Sequence, residues 1–370
     1  MQWKNGRRGA VLVLLTAAFA PAARAQSYAI TNLGTFNGDS FVSGVNAGGL
    51  VAGYANTVQN AQPRACLYQN GGINDLGTLG GATSQSHGIN ASGVVVGESL
   101  TAAGLTHAFS YAGNGPMQDI GTLGGNFAIA TGINDSGTIT GYAGDANNNS
   151  HSFIRSGSVM TDLGTLGGSE SYATGINASG QVVGYAQDAT YADRAYLYTP
   201  NIGMKDIGTL GGSYAFANAI NNSGEVVGDS FVTIGGNTQR AFSYLNRVMT
   251  DLGTLGGDNS NAHAINNQGA IVGTSNLADG SNAPFLYRNG AMVNINTFLP
   301  ANSGWVLTDA YGINDSGLIV GNGTFNGQAR AFLLRPAATA ATPAPSSLFI
   351  VSAGALVLGT ALRRKRLWIK

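Results

Sequence analysis

The stretch SYAITNLGTF occupies residues 27–36, and its second half returns along the chain as INDLGTLGG, MQDIGTLGG, VMTDLGTLGG and GMKDIGTLGG. Elsewhere that phrase closes a longer pattern; here it stands alone. Its Leu or Ile falls at Leu33, Leu76, Ile120, Leu163, Ile207, Leu252 and, degenerately, Ile295, a spacing of 43 to 45 residues. Three other phrases recur between these marks, each seven times. A Val-Asn or Ile-Asn pair lies at Val45-Asn46, Ile89-Asn90, Ile133-Asn134, Ile176-Asn177, Ile220-Asn221, Ile265-Asn266 and Ile313-Asn314. A VVG-like run ends at Gly53, Gly97, Gly141, Gly184, Gly228, Gly273 and Gly321. An AFxY-like run begins at Ala65, Ala108, Ser152, Ala195, Ala241, Pro284 and Ala331.

Self-similarity at this period marks a repeat architecture. Each unit reads as four short strands, β-branched or aromatic and bounded by Gly, Asn, Ser and Asp. YATGIN and QVVGYA flank a tight ASG turn; RAYLY and MKDIGTL flank a second. No stretch of the body sustains a helical period. Four antiparallel strands in about 44 residues match a propeller blade. The fold expected is all-β, a seven-bladed β-propeller over residues 26–336, with a β-solenoid or sandwich array as the alternative. The seventh unit supplies three strands over 310–334 and then stops. SYAITNLGTF is therefore predicted to be its fourth strand, closing the ring by main-chain pairing and leaving few sheet edges open.

The composition agrees with this class. The chain has 370 residues, 44% hydrophobic and 10% charged, with 56 Gly, too apolar for disorder and too poor in helix formers for a helical protein. The formal charge of zero conceals an asymmetry. Four basic residues lie in 1–25 and five in 363–370, which leaves nine in the middle against all 18 acidic ones. An acidic body disfavours nucleic acid, whose phosphates call for clustered Lys and Arg. The single cysteine, Cys66, stands where other units carry Phe or Tyr and reads as core filler.

Residues 1–25 have the form of a signal peptide: Lys4, Arg7 and Arg8, then AVLVLLTAAFA, then Ala23-Arg24-Ala25 before Gln26. At the other end AATAATPAP forms part of a small-residue linker, 337–346. An uncharged stretch at 347–362, near the lower length limit for a spanning helix, precedes a basic tail, 363–370. Together these predict an exported body with one C-terminal membrane segment and a cytoplasmic tail.

Several motifs favour structural readings. The Asp before the L-G-T phrase recurs at Asp75, Asp119, Asp162, Asp206 and Asp251. Folding HSFIRSGSVMTD about Ser156-Gly157 places His151 directly opposite Asp162, and the same register pairs Arg64 with Asp75 and Arg240 with Asp251. In the sixth unit both partners change together, to Ala283 and Asn294, as a cross-strand charge pair would require. His107 occupies the same slot. His87 and His263 precede the Ile-Asn phrase, at positions filled elsewhere by Ser43, Thr131, Thr174, Asn218 and Tyr311. These seven suggest a polar ring near the shaft, too varied for a metal site. Neither a P-loop, nor HExxH, nor GxSxG, nor a carboxylate pair outside the repeat is present. No cofactor and no enzyme activity are expected. What does vary is the loop after VVG, different in every unit, from YANTVQNAQP to NGTFNGQA. In a four-stranded blade this loop and the inter-blade connection emerge on one face, the expected recognition surface.

The literal His107-Ala108-Phe109 and the recurring D-[LI]-G-T-L-G-G resemble the HAF-repeat family of bacterial extracellular proteins across residues 27–335. The tail resembles a PEP-CTERM sorting signal. Pro343 and Pro345 flank Ala344, where that family has Glu; Ser346, the apolar run and Arg363, Arg364, Lys365 and Arg366 follow the pattern. The resemblance implies a Gram-negative envelope or secreted protein, handled by the export machinery and an exosortase-type sorting enzyme. The function expected is a surface-associated, non-enzymatic propeller that binds or scaffolds polysaccharide, matrix or protein. An envelope enzyme acting on glycans through the shaft is the alternative.

Overall fold

The computed structural model describes residues 27–57, 62–69 and 71–337. These form seven four-stranded antiparallel sheets arranged radially, the predicted seven-bladed propeller. Blade 1 runs from an inner strand, Asn37–Val45, through Val51–Thr57 and Pro63–Gln69 to an outer strand, Gly72–Asp75. The inner strands of blades 2 to 6 are Gly80–Ile89, Ala128–Ile133, Gly167–Ile176, Ala215–Ile220 and Gly256–Ile265. Each packs against the next, and the inner strand of blade 7, Trp305–Ile313, packs back on that of blade 1.

Blade 7 is completed by the N-terminal strand. Tyr28–Asn32 pairs antiparallel with Gln328–Pro336, Tyr28 facing Pro336 and Asn32 facing Phe332. Leu33 N–H donates to the Ala331 carbonyl at 3.1 Å, and Ala337 N–H to the Ser27 carbonyl at 2.8 Å, extending the seam beyond the strand. The Tyr28 ring is buried and stacks on Phe298 at 5.1 Å. Phe298 ends a 3₁₀ turn, Ile295–Phe298, which stands in blade 6 where the other units have L-G-T.

Two glycine positions explain recurring phrases. At each first hairpin the Gly three residues after the Asn donates its N–H to the Asn carbonyl with φ between 73° and 84°, a conformation that penalises any Cβ. The Gly of VVG serves a different purpose. A Cβ there would lie 1.9–2.1 Å from an inner-strand carbonyl oxygen, such as that of Ile129 facing Gly141. Only a hydrogen fits.

The core lies between blades, not within them. Phe109, Phe153, Tyr196, Phe242, Phe285 and Phe332 are fully buried, as is Cys66 at the equivalent place. Phe153 of blade 3 packs with Ala128 and Ile139 of its own blade and with Val96 and Ala108 of blade 2. Burial pushes the Cys66 thiol up to about 12, so it sits as an inert neutral group.

The expectation of a transmembrane segment is corrected. Among the described residues no helix is long and apolar enough to cross a membrane. The stretch 347–362 lies outside the described residues, as do the leader positions Ala23, Ala25 and Gln26 and the sorting-signal positions Pro343, Pro345, Ser346, Arg363, Arg364, Lys365 and Arg366. The membrane-anchored localisation that rested on that segment is withdrawn with it.

Candidate functional site: the central channel

The inner strand of every blade carries a β-bulge at the same place. Pairing with the second strand slips between Val42 and Gly44, Ser86 and Gly88, Ala130 and Gly132, Ala173 and Gly175, Ala217 and Ala219, Ala262 and Ala264, and Ala310 and Gly312. The seven extra residues are Ser43, His87, Thr131, Thr174, Asn218, His263 and Tyr311. A bulge re-aims its unpaired side chain, and all seven line one central cavity of about 240 Å³. The polar ring suspected from the sequence is thus built by seven repeated backbone irregularities.

An aliphatic collar follows it. Val45, Ile89, Ile133, Ile176, Ile220 and Ile313 border this cavity and also, with Ile265, a second one of about 250 Å³ that opens on the opposite face. Beyond the collar stand seven asparagines, 3–7% exposed. Each Asn Nδ2 donates to the main-chain carbonyl of the next Asn: Asn46 to Asn90, then Asn134, Asn177, Asn221, Asn266, Asn314 and back to Asn46, at 2.9–3.3 Å. Each Oδ1 accepts the N–H four residues on, fixing the hairpin that carries it. The circle closes without a gap. Ile-Asn was visible in the sequence only as a phrase; its role as a hoop was not, because the partner atoms belong to the backbone of another blade.

On the opposite side the repeat dissolves. The inner-strand position two residues before the polar ring reads Phe41, Gln85, Ile129, Tyr172, Phe216, Asn261 and Asp309 around the channel. Its cross-strand neighbours are Tyr54, Glu98, Tyr142, Tyr185, Asp229, Thr274 and Asn322. In blades 3 to 5 four rings touch in series: Tyr142 on Tyr172 at 5.0 Å, Tyr172 on Tyr185 at 4.9 Å, Tyr185 on Phe216 at 5.0 Å.

Several polar groups on the blade 4 to 6 side are satisfied internally. Tyr172 donates to Glu170, and Asn218 Nδ2 reaches Asp229, Asn261 and the Ala262 carbonyl. Burial pushes the Asp229 carboxyl up to about 6, against a lowering by the Asn218 hydrogen bond. Polar-ring residues here also clasp the next blade. Thr131 donates to the Ala173 carbonyl at 2.9 Å, Thr174 to Ala217 at 2.7 Å, and Asn218 to Ala262 at 2.9 Å; His263 Nδ1 lies 3.1 Å from the Ala310 carbonyl.

The clasps stop at blade 7. Among the described residues neither Tyr311 nor His87 hydrogen-bonds a neighbouring carbonyl, and Ser43 meets only the Ser86 hydroxyl at 3.3 Å. Where the series breaks, a cavity of about 610 Å³ lies against blades 7, 1 and 2, lined by Phe41, Tyr54, Gln85, His87, Thr308, Asp309, Tyr311, Asn322, Thr324 and Arg330 among others. Tyr311 stacks on His263 at 4.9 Å, leaving its hydroxyl without a hydrogen-bond partner among the described residues. His87 Nε2 is 4.0 Å from Glu98, yet burial holds the imidazole down at about 4, so it is neutral at pH 7. Burial raises the Glu98 carboxyl as well.

The cross-strand pairs lie on the outer strands, away from this cavity. Arg64 meets Asp75 at 3.2 Å and His151 meets Asp162 at 2.7 Å; His107–Asp119 and Arg194–Asp206 are equivalent. The register differs from the sequence expectation. Asp75 faces Cys66, Asp162 faces Phe153 and Asp251 faces Phe242, so the contacts are diagonal. The hairpin turns about Gly157-Ser158, one residue later than expected, and moving a turn by one residue moves the pairing by two. Arg240 makes no ion pair with Asp251, and its buried Nε has no hydrogen-bond partner among the described residues. The recurring carboxylate has a second task, which Asp251 keeps. Its Oδ1 accepts the Gly N–H two residues on, at 2.7–2.8 Å from Asp75 through Asp251. Asn32 and Asn294 make the same turn. That turn, not the charge, explains why Asn can replace Asp in blade 6.

No known protein family and no curated protein matches this sequence. Among solved structures the chain is similar to TolB from Acinetobacter baumannii, at 11% identity and a TM-score of 0.46, over 78% of this chain. It spans 65% of the TolB chain. It is also similar to a gluconolactonase from Xanthomonas campestris (10% identity, TM-score 0.40, 83% of this chain and 89% of that one). A third is a lectin from Aleuria aurantia (14% identity, TM-score 0.37, 71% and 98%). Nothing about function rests on these likenesses.

Proposed function

We propose that this chain is an extracellular, non-enzymatic propeller of the HAF-repeat kind that binds a polysaccharide at the loop-face end of its channel. The observation that carries the reading is the cavity at blades 7, 1 and 2. It combines aromatic walls, Phe41, Tyr54 and Tyr311, with hydrogen-bonding side chains, Gln85, Asn322, Thr308 and Thr324. Pyranose rings stack their C–H faces on aromatic rings and exchange hydrogen bonds through their hydroxyls, so this lining suits them. Its volume lies within the usual range of ligand pockets, about 300–1,000 Å³.

The glycan-enzyme reading has less support. Hydrolysis by paired carboxylates asks for two of them flanking one bond, whereas Asp309 alone lines the cavity, Glu98 stands at its margin and Asp229 is in blade 5. Delivery by the export machinery follows from the leader, and processing by an exosortase-type enzyme from the Pro343-Ala344-Pro345 signal; the intact mass of the mature chain reads both. A glycan array probed with the full chain tests the binding role. Retention of at least one glycan class, lost in Tyr54→Ala, is expected. An array with no signal would overturn it.

A further inference from the structure

The cavity at the broken clasp differs from the rest of the channel in what it leaves unsatisfied. On the blade 4 to 6 side Tyr172, Asn218, Asn261 and Asp229 are engaged by protein partners, and the Tyr185 hydroxyl has none among the described residues. Here the Gln85 amide and the hydroxyls of Tyr54 and Tyr311 have no hydrogen-bond partner among the described residues. Asp309 gives one oxygen, Oδ1, to the Thr274 hydroxyl at 2.7 Å, and its Oδ2 has no partner. Polar groups that face a cavity and are not committed to protein partners are available to hydrogen-bond a ligand.

Its carboxylates have no charged partner among the described residues. Asp309 lines the cavity, and Glu98 stands at its margin, across the strand from Gln85 and 4.0 Å from His87. Glu98 raises the Tyr54 phenol through its charge, after burial itself, and Asp309 acts likewise on Tyr311. Arg330 keeps its positive charge at the cavity but does not pair with either carboxylate. The Arg330 guanidinium is tied to the Gly38 and Ala329 carbonyls and to Gln328. His87 carries no charge at neutral pH.

We infer that this cavity selects a sugar bearing a free, protonated amino group, with Asp309 and Glu98 drawing the ammonium against the Tyr54 and Tyr311 rings. The inference rests on the saccharide reading above and narrows it to an amino sugar that is not N-acetylated. A carboxylate supplies the charge-assisted hydrogen bond, and tyrosine faces add attraction for a cation. An acetylated amine loses the charge and must fit its acetyl group beside a carboxylate. The free hydroxyls and the Gln85 amide then serve the sugar ring, which a bare amine would leave unused.

The test is calorimetric titration of the full chain with β-1,4-linked glucosamine tetramer, its fully N-acetylated counterpart, and tetralysine. The free-amine tetramer is expected to bind at least about tenfold more tightly than the other two, a difference of about 1.4 kcal/mol. Asp309→Asn keeps an acceptor for Thr274 and Glu98→Gln keeps the shape of its side chain; each should reduce that preference, and together abolish it, with melting temperatures confirming that both variants fold. Equal binding of the acetylated tetramer overturns the inference, as does tetralysine binding as tightly, which would mark a general cation site. A preference that survives both substitutions overturns it too, since the acidic body would then be its source. Should neither saccharide bind while the array shows another glycan, this inference falls and the polysaccharide reading stands; a silent array removes both.

Discussion

The two ends of the channel are made by the same strands yet follow opposite rules. At one end seven identical asparagines close a hoop in which every side chain both donates to the next blade and accepts from its own hairpin. At the other, five residues earlier on each strand, no such uniformity exists: aromatic, aliphatic, amide and carboxylate side chains alternate around the ring. Repetition appears where each blade must grip the next, because one geometric problem recurs seven times. Variation appears where no neighbour needs satisfying. The polar ring between them is intermediate, structural from blade 3 to blade 7 and released across blades 7, 1 and 2. Where the clasps end, the cavity begins.

The seam is the strongest way to break the comparison, since both ends presuppose a closed ring. Deleting residues 27–36 removes the outer strand of blade 7 and leaves Gln328–Pro336 as an exposed edge. A fall in melting temperature beyond 10 °C, on the order of several kcal/mol, or outright loss of the fold is expected; calorimetry reads it, and an unchanged melt would contradict a closed ring. Next comes Gly141→Ala, whose Cβ would meet the Ile129 carbonyl oxygen at 2.0 Å. Forcing the bulge open should cost about 2–4 kcal/mol in chemical denaturation. Asn177→Ala removes the donor to Asn221 and the acceptor for Gln181 N–H. A loss of about 2–3 kcal/mol is expected, with glycan retention unaltered.

Asp229→Asn should act in the other direction. Its folded-state carboxyl titrates at about 6, above an ordinary aspartate, so the native state is penalised at pH values where the carboxylate is charged. That penalty is present above about pH 6 and fades as the pH falls toward 4. The variant should therefore be more stable than the parent at pH 7.5, by about 1–3 kcal/mol, with the gap narrowing by pH 4.5. His87 works oppositely: its folded value, near 4, gives stability present above pH 6.5 and lost as the pH falls toward 4. Comparing variant with parent at each pH removes that contribution. The smallest effect belongs to the outer pairs. Asp162→Asn retains the turn to Gly164 while losing the charge diagonal to His151, and a shift below about 1 kcal/mol is expected.

Sequence periodicity carried the fold, because a repeat that cannot bury its own faces must stack, and an orphaned fourth strand at one end matched a missing one at the other. Register was less legible. Nothing in HSFIRSGSVMTD alone shows whether the turn pivots at Ser156 or Gly157, and one residue decides whether His151 and Asp162 are opposite or diagonal. The hoop and the clasps were hidden for another reason: their acceptors are main-chain carbonyls of a neighbouring blade, which carry no residue signature. Ser43, His87 and Tyr311 stood in the polar-ring alignment, but that they fail to clasp is visible only in three dimensions. Among the described residues no helix is long and apolar enough to cross a membrane, and the 347–362 stretch that composition suggested lies outside them.

Glycan retention and melting temperature, read together on Asn134→Ala and Tyr54→Ala of the full chain, test the division of the channel most directly. The account predicts that Asn134→Ala melts lower and binds as the parent does, while Tyr54→Ala melts within a few degrees of the parent and loses the glycan. Loss of binding in Asn134→Ala at a temperature where it is fully folded, or full binding in Tyr54→Ala, would contradict it.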